Sequence, residues 1–170
     1  MNTMRLEDIS QSNFGECISL EVNESEKSFV STNVKSIAES KIWPFWIPKC
    51  IFVDEIMVGF LMYAKDYEDG KLDICRLMID KKHQGNGYGK RALEIINEIA
   101  AEDKRISRIV VHVVKENQKA EKMYLTFGFE DKERIEYGQE VFELKVARNA
   151  KKAPEPPVAQ VQDHLAHVSN

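Results

Sequence analysis

Glycine is scarce in this chain, eight among 170 residues, yet three of the eight fall within five positions, Gly85, Gly87 and Gly89. Cysteine is scarcer. Cys17, Cys50 and Cys75 are odd in number, widely spread and without C-x-x-C spacing. That argues against a disulfide framework and leaves reduced, buried thiols as the expectation. Long apolar runs are also missing: residues 47–53 and 106–114 are too short and too interrupted to span a bilayer. The opening M-N-T-M-R-L-E-D lacks the basic-then-apolar order of a secretory signal. A cytoplasmic protein with no membrane partner is expected. The formal net charge is −4 and no basic stripe is concentrated anywhere, so nucleic acid is not an expected partner. Residues 1–70 hold six Lys/Arg against twelve Asp/Glu, whereas residues 71–150 hold sixteen against fourteen. The acidic half suits a cationic partner, and equally a solvated face.

What is present is an ordinary globular balance, 43% hydrophobic and 31% charged, in one domain long enough for a full core. A strand is expected over residues 3–6. Ser12 or Asn13 caps a helix to about residue 20, with Phe14, Cys17 and Ile18 inward. Phe29, Val30, Val34, Ile37 and Ala38 recur at helical spacing, predicting a second helix to about Lys41, and Pro44 and Pro48 exclude helix beyond it. Residues 51–53 and 56–63 flank Asp54-Glu55 as a hairpin, and with 72–79 they form an antiparallel meander. A helix over 87–102 buries Leu93, Ile96, Ile99 and Ala100, and 108–114 is a β-branched strand. Asn117 caps a helix that Gly128 ends, and strands 129–136 and 140–146 pair around Tyr137-Gly138-Gln139. The order is that of a mixed α/β sheet in a domain spanning 1–147. Residues 148–170 read as a tail. Pro154, Pro156 and Pro157 make an extended spacer, Val158, Val161, Leu165 and Val168 suit a turn or two of helix, and Asp163, His164 and His167 are too few for a metal site.

Residues 79–91 read I-D-K-K-H-Q-G-N-G-Y-G-K-R. A strand ends here in a basic, glycine-spaced loop that opens into an amphipathic helix. Bare glycines let the backbone approach a ligand, successive N–H groups point outward, and the helix adds the positive end of its dipole. This is a cradle for a pyrophosphate, as carried by coenzyme A or a nucleotide. A dinucleotide fold needs G-x-G-x-x-G, and a Walker loop needs G-K-[ST] four residues after its first glycine. Here the order is Gln84-x-x-Gly87-x-Gly89, and Arg91 follows Lys90, so neither template fits.

The pattern Q-x-x-G-x-G after a strand resembles the acetyl-CoA signature of the GNAT superfamily of N-acetyltransferases. Two more segments match in order: Asn117, Ala120 and Tyr124 after strand 108–114, and Y-L-T-F-G-F from Tyr124 to Phe129. The resemblance covers roughly residues 3–147. Within the superfamily, the string R-L-M-I-D-K-K-H-Q-G-N-G-Y-G-K, the hairpin V-G-F-L-M-Y and the short N-terminal helices are similar to bacterial spermine/spermidine (diamine) acetyltransferases. The resemblance implies an α/β GNAT fold: a mixed, mostly antiparallel sheet with a central splayed parallel strand pair, flanked by about four helices. It implies transfer of the acetyl group of acetyl-CoA to a primary amine of spermidine or spermine, by direct attack in a ternary complex and without a metal. A homodimer is compatible with it. The alternatives are a GNAT acetylating a protein N-terminus, a lysine or an aminoglycoside, and a non-catalytic CoA-binding regulatory module.

Carried onto this chain, the resemblance assigns backbone contacts with the pantetheine to Leu77 and Ile79. The N–H groups of Gln84, Gly85, Asn86, Gly87, Tyr88, Gly89 and Lys90 surround the phosphates, and Asn117 approaches from the neighbouring strand end. Tyr124 is the expected catalytic residue, protonating the departing thiolate. A backbone N–H near Leu77 is expected to meet the developing oxyanion. Glu21, Glu24, Glu26 and Asp73 are candidate acceptor carboxylates, and Trp43 and Trp46, with Phe45, candidate aromatic walls. Asp80 is expected to order the loop. Of the general base, no single residue is named.

Overall fold

Residues 2–148 are described by the structure, a computed structural model, so the tail from residue 149 onward lies outside the described residues. In chain order the elements are β1 (Met4–Asp8), α1 (Phe14–Ser19), a 3-10 turn (Glu24–Glu26), α2 (Asn33–Ile42), β2 (Trp46–Val53), β3 (Ile56–Asp66), β4 (Lys71–Ile79), α3 (Tyr88–Glu102), β5 (Arg108–Val113), α4 (Gln118–Phe127), β6 (Glu130–Glu136) and β7 (Gln139–Lys145). The seven strands form one mixed sheet in the order β1-β2-β3-β4-β5-β7-β6, parallel between β4 and β5 and antiparallel elsewhere.

β3 shows why the sheet carries helices on both faces. Its apolar run leaves no polar side: Leu61 and Tyr63 point into a core shared with Leu93 and Ile96 of α3, while Phe60 and Met62 point into a second core with Cys17 of α1 and Ile37 of α2. Burying each such side chain contributes about 1.5–3 kcal/mol.

Three N-terminal expectations are corrected. α2 begins after Thr32, whose Oγ1 accepts from Lys35 N at 3.3 Å, and its buried residues are Asn33, Ser36 and Ser40, with Ile37 packed against the second core as expected, while Val34 is exposed. Asn33 is accommodated on the inner face because its Nδ2 donates to Cys17 O at 2.8 Å, tying α2 to α1. Phe14 also faces outward. β2 starts at Trp46 and runs through Pro48, earlier than the apolar run suggested. Pro48 lies one residue past the last β1 rung, Asp8↔Lys49, where β2 has a single neighbour and tolerates a missing N–H.

The centre of the sheet positions the site. β4 and β5 pair only from Lys71↔Arg108 to Ile74↔Val111. Beyond that rung β4 continues to Ile79 and β5 to Val113, with no further parallel pairs. A register shift opposite Met62/Tyr63 leaves Cys75 as an extra residue in β4, between Ile74 and Arg76. The bulge and the parting of the strands coincide. Among the described residues no helix is long and apolar enough to cross a membrane.

Candidate active site

The loop between β4 and α3 is fixed from below by Asp80. Its buried carboxylate accepts from Lys82 N at 3.0 Å and Glu21 N at 2.9 Å, and its carbonyl accepts from His83 N at 2.8 Å. Gly85 (φ +80°) and Gly87 (φ +74°) adopt left-handed backbone, and a Cβ added at either would meet nothing within 4 Å. Their bareness serves conformation and an open surface, not internal packing. Gly87 is also the N-cap of α3 and contributes no capping side chain, so the helix offers its first N–H groups without a side-chain acceptor. These features fit a diphosphate. Gly89 differs, because a Cβ there would lie 2.9 Å from Met123 Sδ. It lets α3 pack against α4, which corrects the reading of three equivalent glycines.

The side chain of Gln84 is a strut. Its Nε2 donates to Glu26 Oε2 at 2.9 Å and Ile79 O at 3.1 Å, while its Oε1 accepts from Asn23 Nδ2 at 2.8 Å and Lys119 Nζ at 2.7 Å. Lys119 also pairs with Glu26 at 2.9 Å. Burial opposes ionisation of Glu26, yet the bonds from Gln84, Lys119 and Asn23 outweigh it and hold the carboxyl below its usual range. Asn86 turns back on the loop, donating to His83 O at 2.9 Å.

Three cavities run from this loop through the sheet. The first, about 310 Å³, is lined by Leu77, Ile79, Gln84, Gly85, Gly87, Tyr88, Gly89, Lys90 and Asn117 among others. The second, about 170 Å³, lies in the splay and includes Cys75, Arg76, Leu77, His112, Asn117 and Tyr124. The third, about 990 Å³, includes Phe45, Trp46, Tyr67, Asp73, Arg76, His112, Glu136 and Tyr137. Leu77 and Asn117 belong to both the first and the second; Cys75, Arg76 and His112 belong to both the second and the third. The three therefore lie next to one another and share walls.

Asn117 caps α4, its Oδ1 accepting from Ala120 N at 3.2 Å, so the cap and the cavity wall are one residue. Tyr124 stands in the splay cavity with its ring edge-on to Phe129, centroids 5.2 Å apart. No described residue hydrogen-bonds its hydroxyl, and burial pushes the phenol well above its usual pKa.

Of the four candidate carboxylates, only Asp73 lines the wide cleft. Its Oδ1 is buried without a hydrogen-bond partner among the described residues, and its Oδ2 lies 3.5 Å from Lys71 Nζ. Burial raises its carboxyl above the ordinary range against the pull of Lys71. Glu21 pairs with Lys81 at 2.7 Å, Glu24 pairs with Lys27, and Glu26 belongs to the phosphate-loop cavity. Glu21 lines a separate pocket with Leu20 and Val30, and Glu24 lines none of the three cavities, so the structure does not bring the four carboxylates together. Trp46 lines the cleft beneath Arg76, 5.9 Å from its ring centroid, and Trp43 stacks behind Trp46 at 5.1 Å as a buttress.

Sequence reasoning passed over one pair. His112 Nε2 lies 3.0 Å from Glu136 Oε2, where the splay cavity meets the cleft. The available signal was a single polar residue inside the apolar run V-V-H-V-V.

Comparison with known proteins agrees with this geometry. The model of the acetyltransferase (GNAT) family matches residues 7–129. The "Probable spermine N(1)-acetyltransferase" of Bacillus subtilis subsp. natto is 24% identical over 149 residues, 84% of this chain and 98% of that protein. In solved structures, the chain is similar to spermidine N-acetyltransferase from Vibrio cholerae in complex with CoA and spermine, with TM-score 0.65 and 16% identity over 84% of this chain and 95% of that one. It is also similar to Arabidopsis thaliana Naa50 in complex with the bisubstrate analogue CoA-Ac-MVNAL, with TM-score 0.61 and 22% identity over 84% and 98% of the two chains. The family match takes in the end of β1, the phosphate-type loop, the parted strands and all of α4, and the chain belongs to the GNAT acetyltransferase family.

Proposed function

We propose that the protein transfers the acetyl group of acetyl-CoA to a primary amine of a spermidine- or spermine-type polyamine, by direct attack while both substrates are bound. The observation that carries this reading is the passage across the sheet. It opens at one end onto a bare, glycine-spaced helix N-terminus and at the other onto a cleft that Asp73 lines. A diphosphate belongs at the first mouth and an ammonium at the second. The curated relatives support a polyamine acceptor.

In this reading the N–H groups of residues 84–90 hold the diphosphate, with Gly85 and Gly87 giving close approach. Leu77 and Ile79 line the route of the pantetheine with Asn117 facing them. Acetyl-CoA, when bound, supplies an activated carbonyl and a thiolate leaving group. β4 beyond Ile74 has no parallel neighbour, so backbone N–H groups near Leu77 are free to donate to an oxyanion. Tyr124 donates to the sulfur. With reference pKa values near 10 for a phenol and 8.5 for a thiol, complete transfer is uphill by roughly 2 kcal/mol, and burial widens the gap. The same dry setting strengthens the hydrogen bond to a charged sulfur, so Tyr124 stabilises the charge as it develops and the proton follows.

A peptide α-amine is the second reading, favoured by the breadth of the cleft, about 990 Å³, and by its aromatic lining of Phe45, Trp46, Tyr67 and Tyr137. Thiol release from acetyl-CoA, measured with spermidine, spermine, putrescine, aminoglycosides and peptides, separates the two. Saturable release with spermidine or spermine supports the first reading; release with peptides alone replaces it with the second.

A further inference from the structure

An alkyl ammonium has a pKa near 10.4, and the attacking nitrogen must shed a proton for the amide to form. Glu21 and Glu24 are ion-paired near the phosphate loop, Glu26 is tied to Gln84 and Lys119, and Asp73 faces Lys71. One imidazole stands at the crossing of the two cavities. His112 lies on β5 one residue past the last parallel rung, Ile74↔Val111, with its side chain 21% exposed. The Nε2–Oε2 distance of 3.0 Å to Glu136 sets the tautomer: Nε2–H donates to the carboxylate, and Nδ1 keeps its lone pair. Among the described residues nothing hydrogen-bonds Nδ1. Glu136 stays ionised, because the bond from His112, ahead of Arg134, holds its carboxyl below the usual range.

We infer that His112, oriented by Glu136, is the base that removes the proton from the attacking amine. The inference rests on the acetyl-transfer reading above and names its missing group. The ammonium first gives a proton to His112 Nδ1, which hands it through water to bulk solvent. The freed lone pair then bonds to the acetyl carbon as the carbon–sulfur bond breaks, and the second proton this nitrogen must lose passes to His112 Nδ1. The departing sulfur takes a proton from the Tyr124 hydroxyl. Water then accepts the imidazolium proton and restores the phenol, so the cycle closes without another reactant. Glu136 is a positioning residue: it holds the ring and stabilises the imidazolium without touching substrate. The titratable or charged groups facing the ring are Glu136, Tyr137, Asp73, Cys75, Arg76 and Tyr124, from β6 and its turn, β4 and α4.

The test uses the full chain, acetyl-CoA and spermidine, with thiol release recorded from about pH 6 to 9.5 and acetyl-CoA affinity measured by calorimetry. His112→Gln is expected to lower kcat/KM at neutral pH by about 10²–10³-fold, with acetyl-CoA affinity within about threefold of wild type. The deficit shrinks at the alkaline end and with a weakly basic amine acceptor, because the neutral amine is then already abundant. Glu136→Gln is expected to cost about tenfold and to shift the acid limb of the profile. Wild-type turnover with His112→Gln within threefold of it overturns the assignment and leaves acetyl transfer standing. A loss equal at every pH and for every amine, together with weakened acetyl-CoA binding, makes the pair structural and also overturns it. Absence of thiol release by wild type with every amine overturns both readings at once.

Discussion

Gly87 and Gly138 offer a matched pair for testing the phosphate cradle. Both have positive φ, +74° and +75°, and a Cβ added at either meets nothing within 4 Å. Alanine at such a position costs roughly 1–2 kcal/mol in left-handed backbone. Reduced freedom of the unfolded chain returns about 0.4–1 kcal/mol. The net loss is about 1 kcal/mol, which for a chain of this size lowers Tm by about 2–4 °C. Gly87→Ala and Gly138→Ala should therefore melt alike. Their ligand affinities should part. A methyl at Gly87 stands on the open surface at the start of α3, where a diphosphate must reach the N–H groups, whereas Gly138 lies in the β6–β7 turn. Calorimetric titration with acetyl-CoA should show at least about tenfold weaker binding for Gly87→Ala and no change for Gly138→Ala. Equal affinities in the two variants would refute the reasoning. So would a large Tm loss confined to Gly87→Ala, since the role of that glycine would then be structural.

Tyr124→Phe should lower kcat by about 10²-fold while acetyl-CoA affinity stays within about twofold, and equal turnover in stopped assays would reject the donor role. Asp73 has a folded-state pKa raised by burial, so its contribution to stability is present below the unfolded value and is lost as pH rises through the folded value. At neutral pH the ionised group therefore costs stability. Asp73→Asn should melt at the same temperature or slightly higher, while KM for spermidine rises about tenfold; a lower Tm with unchanged KM contradicts this. Cys75 is pushed up to about 12 by burial, and Cys17 and Cys50 are fully buried. Iodoacetamide at about pH 8 should leave activity intact over minutes, because the thiolate is the reactive form; rapid inactivation would sink the reading of inert thiols.

The parts legible in the sequence are those specified by neighbours along the chain. The loop announced itself because left-handed glycines and a following helix are local features, and α4 because Asn117 caps it and Gly128 (φ +118°) stops it. Side chains that work through distant partners were not legible. Glu136 reaches His112 from another strand, and Gly89 answers to Met123 on another helix. Asn33 is buried on α2 because it bonds to Cys17 O, and of the apolar period read there Ile37 packs inward while Val34 faces solvent. Acidic charge in residues 1–70 pointed to a cationic partner without saying which mouth of the passage each carboxylate occupies. Glu26 stands at one end and Asp73 at the other.

The account depends on two substrates meeting where β4 and β5 part. A bisubstrate analogue, spermine joined through an acetyl bridge to the sulfur of CoA, measures this directly. If the two binding regions are one continuous passage, titration should give a Kd about 10²–10⁴-fold below that of CoA alone, with competition against both acetyl-CoA and spermidine. An analogue that binds no tighter than CoA, or competes with acetyl-CoA only, would contradict it.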